Sequence, residues 1–132
     1  VFETAPEAVA GADLVVLAVP VGAMGAVARE IGPHLAPGTV ITDVGSVKQA
    51  VIAAVAPHLP KAVHFIPSHP LAGTEHSGPA SGFASLFRGR WWLLTPLPDT
   101  DPEAQARLEA LIRATGAEVE AMARPITTAC WP

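Results

Sequence analysis

The sequence holds a single cysteine, Cys130, so it offers no internal disulfide and no thiol set for a zinc site. No apolar stretch approaches the roughly 18–20 residues that cross a bilayer as a helix. The start, Val-Phe-Glu-Thr, has neither an initiator Met nor the basic segment of a signal peptide. Charge is scarce: Asp, Glu, Lys and Arg make up 15% of the residues and the net charge is −4. The Lys and Arg that are present are scattered, which disfavours a nucleic-acid partner. Aromatic residues reach only 5%, too few for a base-stacking platform. With 50% hydrophobic residues and a mean hydropathy of +0.38, the chain lacks the signature of disorder. At 132 residues it suits one α/β domain, expected in the cytoplasm and not at a membrane. The missing Met points to a chain that starts within a longer protein.

What is present alternates between strand-like and helix-like segments. Residues 13–19, Asp-Leu-Val-Val-Leu-Ala-Val, form a continuous apolar run ended by Pro20, which predicts a strand buried on both faces. Met24, Val27, Ala28 and Ile31 follow at helical spacing, with Gly32-Pro33 as the stop. Residues 38–44 read as a second buried strand. Ser46 stands where it can N-cap a helix to Leu59 with Val47, Ala50, Val51, Ala54 and Val55 inward. A third strand is predicted over 62–66, a Gly/Pro/Ser-rich loop over 67–82 and a fourth strand over 90–95. Thr100-Asp101-Pro102-Glu103 combines a capping-box spacing with an early helical proline. Leu108, Leu111 and Ile112 mark that helix's buried stripe, Gly116 its end, and 117–122 a last strand. Such alternation implies a doubly wound, mainly parallel sheet, whose ligands sit beyond the carboxyl ends of the strands.

Two post-strand segments carry candidate chemistry. In Asp43-Val44-Gly45-Ser46-Val47-Lys48, Gly45 lets a ligand approach the backbone, Ser46 offers a hydroxyl, and a helix start offers free N–H groups. On its own, Ser46 is more commonly explained as a helix cap, the usual duty of Ser at that position. The second segment, Pro67-Ser68-His69-Pro70, is stiffened by prolines, and Pro70 restricts His69. An imidazole there can take a proton from a substrate hydroxyl, or simply be a loop histidine in ordinary hydrogen bonds. His64, His69 and His76 lack a helical i, i+4 pair and have only Glu75 nearby, so no metal site is expected. No G-x-S-x-G elbow supports a Ser46–His69 hydrolase. Trp91 and Trp92 should point to opposite faces of their strand.

Taken in order, A-D-L-V-V-L-A-V-P-V, T-D-V-G-S-V-K, H-P-L-A-G-T-E-H-S-G and G-R-W-W-L-L-T-P resemble the prephenate/arogenate (cyclohexadienyl) dehydrogenases over roughly residues 9–122. The first motif is generic to Rossmann dehydrogenases; the D-V-G-S-V-K and H-P-x-A-G-T-E blocks are the specific ones. The resemblance implies a Rossmann-like domain that works in tyrosine biosynthesis. The reaction is oxidative decarboxylation of prephenate or arogenate, with hydride passed to NAD or NADP. It implies that His69 accepts the proton of the ring hydroxyl being oxidised. Ser46 would orient that hydroxyl, His69 and the nicotinamide end of the cofactor. Thr74 and Glu75 would line the substrate mouth, Glu75 in an ionic gate. Val19, Pro20 and Val21, with Gly45 and Ser46, would lie along the cofactor.

The sequence departs from the family in three places. It has no G-x-G-x-x-G turn for the pyrophosphate, so the domain is expected to lack its first strands. The helical domain through which the family forms homodimers, and which supplies a substrate-binding Arg, is not in the sequence either. The chain alone is therefore expected to be inactive. Residues 1–122 read as a partial dinucleotide-binding domain and 123–132 as an atypical tail. Back-translated and read in another frame, that tail permits Ala-Pro-Asp-His-Asp-Arg-Val-Leu-Ala, a family-like continuation, which points to a frameshift near Met122. Two other readings remain at this stage: a different Rossmann dehydrogenase for a small hydroxy acid, and a non-catalytic nucleotide-binding or regulatory module.

Overall fold

Strand and helix segments alternate as their apolar spacing demands, and the first three strands line up in parallel. The computed structural model describes residues 3–71, 88–98 and 100–121. In chain order the elements are α1 (Ala5–Val9), β1 (Leu14–Leu17), α2 (Val21–Ile31), β2 (Val40–Asp43) and α3 (Lys48–Val55). They continue with β3 (His64–Phe65), β4 (Ser68–Pro70), β5 (Trp91–Leu94), α4 (Pro102–Ala114) and β6 (Glu118–Ala121). Short 3₁₀ turns follow α2 at Gly32–His34 and α3 at Ala56–His58.

β1 pairs with β2 and β2 with β3, both in parallel, in the order β1-β2-β3. β4 then pairs antiparallel with β5, and β5 pairs in parallel with β6. The two sets are joined by one extended segment. Ile66 N–H still bonds to Ile41 O, whereas Pro67 O already accepts from Thr95 N–H. The mainly parallel, Rossmann-like sheet expected from the sequence is thus present, with one antiparallel pairing inserted. The start of the expected 67–82 loop is strand β4. Its prolines, Pro67 and Pro70, give it the local pattern of a loop, and only the distant partner β5 makes it a strand.

Each face of the sheet carries a core. On one, α2 and α3 bring Met24, Ala28, Ile31, Val51 and Val55 against Val15, Leu17 and Ile41. On the other, α4 brings Ala104, Leu108 and Ile112 against Val40, Ile66, Trp92 and Leu94. Several details differ from the sequence pattern. β1 is not buried on both faces: Val16 is 46% exposed, because β1 ends the strand order among the described residues and, of its residues, Leu14 is the one packed against the core under α4. The buried stripe of α4 is Ala104-Leu108-Ile112, a clean i, i+4, i+8 row, and Leu111 stands exposed beside it. The cap of α4 is Asp101, whose carboxylate accepts from Ala104 N–H at 3.2 Å, so the helix starts one residue later than Thr100-x-x-Glu103 implies. Trp91 and Trp92 do take opposite faces, exposed and buried respectively. Gly116 closes α4 in the left-handed region, φ +92°. α1 was not anticipated, although Thr4 caps it in a Thr-x-x-Glu spacing, with Glu7 N–H donating to its hydroxyl. No helix among the described residues is long and apolar enough to cross a membrane.

Candidate active site

Two chain reversals and one extended segment leave the carboxyl ends of β1, β2 and β3. After β1, Val19, Pro20 and Val21 lead into α2, with Pro20 at its N-cap and without a side-chain cap bond. After β2 come Val44, Gly45 and Ser46; after β3, the chain runs on into Ser68 and His69. Gly45 is where the two reversals touch. A Cβ placed there would lie 2.9 Å from Val51 Cγ2, 3.1 Å from Val21 Cγ2 and 3.2 Å from the Asp43 carboxylate. The glycine therefore admits the protein's own side chains on that side, where the sequence suggested room for a ligand.

Ser46 does not cap α3. The N-cap position belongs to Val47, with no side-chain bond, and Ser46 is exposed beside it. The inward face of α3 is also rotated from expectation: Lys48, Val51, Ile52 and Val55 are buried, while Val47 and Ala50 face outward. The cause is Lys48. Its ammonium pairs with the Asp43 carboxylate and donates to Ser68 O, and the two charged side chains are only 2% and 0% exposed. This cluster was not read from the sequence, and it organises the site.

Ser68 is its hub. Its N–H donates to Asp43 Oδ1 at 3.2 Å, and its hydroxyl donates to Asp43 O at 2.8 Å. With that proton committed, the same oxygen accepts from Trp92 Nε1 at 2.9 Å and from the Thr42 hydroxyl at 2.7 Å. The other carboxylate oxygen of Asp43 accepts from Gly45 N–H at 2.9 Å. Every polar atom of Ser68 is thus engaged, and the next residue is His69, half-buried and opposite Leu93 in the β4–β5 ladder. Burial lowers the His69 pKa below its ordinary 6.5; the positive charge of Lys48 lowers it further, and Asp43 partly offsets this. Lys48 itself is pulled below 10.5 by burial, against the opposing effect of Asp43. The arrangement can hold a neutral imidazole in a fixed place, ready to take a proton.

Thr74, Glu75 and His76 lie outside the described residues. Among the described residues no three of His, Cys, Asp and Glu gather as metal ligands. Asp43, Lys48, Thr42 and Ser68 are the residues that sequence reasoning missed. The one available signal was an Asp and a Lys five apart across a strand–helix turn, a pattern usually met on surfaces.

The chain matches the model of the prephenate dehydrogenase nucleotide-binding domain over residues 1–121. It is 44% identical over 116 residues to the cyclohexadienyl dehydrogenase of Zymomonas mobilis, covering 88% of this chain and 39% of that one. The fold is similar to the crystal structure of Synechocystis arogenate dehydrogenase (TM-score 0.84, 28% identity, 93% of this chain and 43% of that one). It is likewise similar to prephenate dehydrogenase from Aquifex aeolicus in complex with hydroxyphenyl propionate and NAD+ (TM-score 0.83, 28% identity, 95% and 43%). The chain thus spans well under half the length of these relatives. On the family match and the shared fold together, this chain belongs to the prephenate dehydrogenase family and corresponds to its nucleotide-binding domain.

Proposed function

We propose that the chain is the nucleotide-binding part of an enzyme that oxidatively decarboxylates prephenate or arogenate with NAD or NADP, and that His69 is its proton acceptor. The observation that carries this reading is His69 itself. It stands at the carboxyl end of the parallel strands, behind a fully bonded Ser68, and its environment disfavours the imidazolium. An imidazole neutral at physiological pH accepts the proton of the ring hydroxyl as that carbon is oxidised. Ser46, exposed and without a capping duty, would hydrogen-bond the same hydroxyl.

The described residues fit the nicotinamide end of a dinucleotide. The start of α2 lacks a side-chain cap, and a Cβ built at Gly22 meets nothing within 4 Å, so this helix terminus faces open space. Val19, Pro20, Val21, Gly45 and Ser46 would border the cofactor, which when bound supplies the hydride acceptor. The relative crystallised with NAD+ supports this. Thr74 and Glu75 belong to the same proposal as the substrate mouth, as do homodimer formation and a cytoplasmic location.

The test is His69→Asn in a chain extended to the length of the relatives. Prephenate- and arogenate-dependent reduction of NAD and NADP should fall by about 10²–10⁴-fold in kcat, with cofactor affinity nearly unchanged. Retained turnover overturns the assignment. For the tail, we propose a change of reading frame near Met122; the end of the family match at residue 121 supports it. The gene's nucleotide sequence decides this: a family-like continuation in the shifted frame is expected, and its absence refutes the idea.

A further inference from the structure

We propose that Lys48 and Asp43 are positioning residues for His69: they fasten the peptide that carries the imidazole and set the field in which it takes up a proton. This rests on the reading of His69 as proton acceptor and adds a role for two residues that the motif comparison left unassigned. A buried ion pair is a poor device for stability alone, since well-packed apolar side chains of similar volume often do as well or better. This pair is buried nearly completely, and its bonds are directed. Lys48, from α3, donates to the Ser68 carbonyl; Asp43, from β2, accepts from the Ser68 N–H and, through its own main chain, from the Ser68 hydroxyl. Ser68, the residue next to His69, is thereby tied to two elements other than its own strand: its carbonyl, part of the peptide that leads into His69, to α3, and its N–H and hydroxyl to β2.

The same two groups also act on the charge of the ring. Among the described residues the charges acting on His69 are Lys48 from α3 and Asp43 from β2. In the β4–β5 ladder the residue opposite it is the uncharged Leu93. Burial is the first influence that disfavours the imidazolium; of the two charges the cation outweighs the anion, so Lys48 adds to the effect of burial and Asp43 offsets part of it. The pair thus acts on the base through position and field and does not itself contact the substrate.

The experiment is a histidine titration by NMR on the full chain, with the His69 signal assigned by its loss in His69→Asn. Lys48→Met keeps the length of the side chain without its charge. It should raise the His69 pKa above that of the parent protein. Asp43→Asn/Lys48→Met should also raise it, by no more than the single change, because the larger of two opposing charges has gone with the smaller. If the single variant does not fold, the double variant, which leaves no buried unpaired charge, carries the test. A His69 titration that superimposes on the parent's in the folded variant overturns the proposal. In the extended enzyme, Lys48→Met should move the acid limb of kcat/KM to higher pH with nucleotide affinity unchanged. The titration reads the pair without any turnover. Its failure is therefore distinct from that of the proposed function, which His69→Asn tests separately.

Discussion

His69 is a residue whose fold prefers it neutral, and that preference has a thermodynamic consequence. In the unfolded chain a histidine titrates near 6.5; in the fold, burial and Lys48 lower this value. Between the two values the unfolded state binds more protons, so stability rises with pH there. The contribution is complete above the unfolded value and is lost as pH falls through the folded one. Urea midpoints measured between about pH 5 and 7.5 should therefore climb more steeply for the parent protein than for His69→Asn; equal slopes would contradict the burial of this ring. Gly45 makes a second residue-scale case. A methyl group there must displace Val51, Val21 or the Asp43 carboxylate, all within 3.2 Å. Gly45→Ala should cost roughly 1–3 kcal/mol, read as a lower denaturation midpoint with an unchanged slope. Both positions stand out in the sequence, a glycine after a strand and a histidine held between prolines. Lys48 does not stand out. Its burial depends on a carbonyl at Ser68, twenty residues on, and a lysine is ordinarily read as solvent-facing.

At the scale of the element, the sequence marks where helices and strands lie better than how they begin. The spacing of apolar residues locates α2, β2 and α4 correctly, because a period of 3.6 or 2 is a local property. Caps depend on which side chain turns toward the first free N–H groups, and adjacent candidates compete. For α4 the competitors are Thr100 and Asp101. Asp101 holds the bond to Ala104 N–H, while the Thr100 hydroxyl is buried without a hydrogen-bond partner. Adjacent substitutions should then have opposite signs. Asp101→Ala should destabilise by about 1 kcal/mol. Thr100→Val should be neutral or stabilising, since it removes a buried hydroxyl that makes no bond. Thermal unfolding of the two variants decides it, and a loss on Thr100→Val equal to that of Asp101→Ala would return the capping role to Thr100. The same competition explains α3, whose best-looking cap, Ser46, is left out of the helix and open to another use.

At the scale of the whole molecule, two three-stranded sets meet along residues 64–70, and the meeting place is also the candidate site. The parallel order of β1, β2 and β3 follows from right-handed crossovers that the sequence announces. The antiparallel β4–β5 pairing is not announced. β4 is three residues long, and its register is set by contacts with Trp92 and Leu94 far along the chain. Ser68 holds the junction. Its hydroxyl oxygen is bound at once by Asp43 O and Thr42 on β2 and by the Trp92 indole on β5. Ser68→Ala leaves the Thr42 hydroxyl and the Trp92 N–H buried without this acceptor, a loss of roughly 2 kcal/mol or more. The two main-chain ties of Ser68, to Lys48 and to the Asp43 carboxylate, do not depend on its side chain and should survive. The variant should therefore fold, with a weaker seam. Hydrogen exchange offers the reading: amides of β2 and of β5 should lose protection together, by similar factors, while those at the far end of α4 change little. If only one of the two strands becomes less protected, the halves are stable independently, and the junction beneath His69 is a point of contact without being a source of cooperativity.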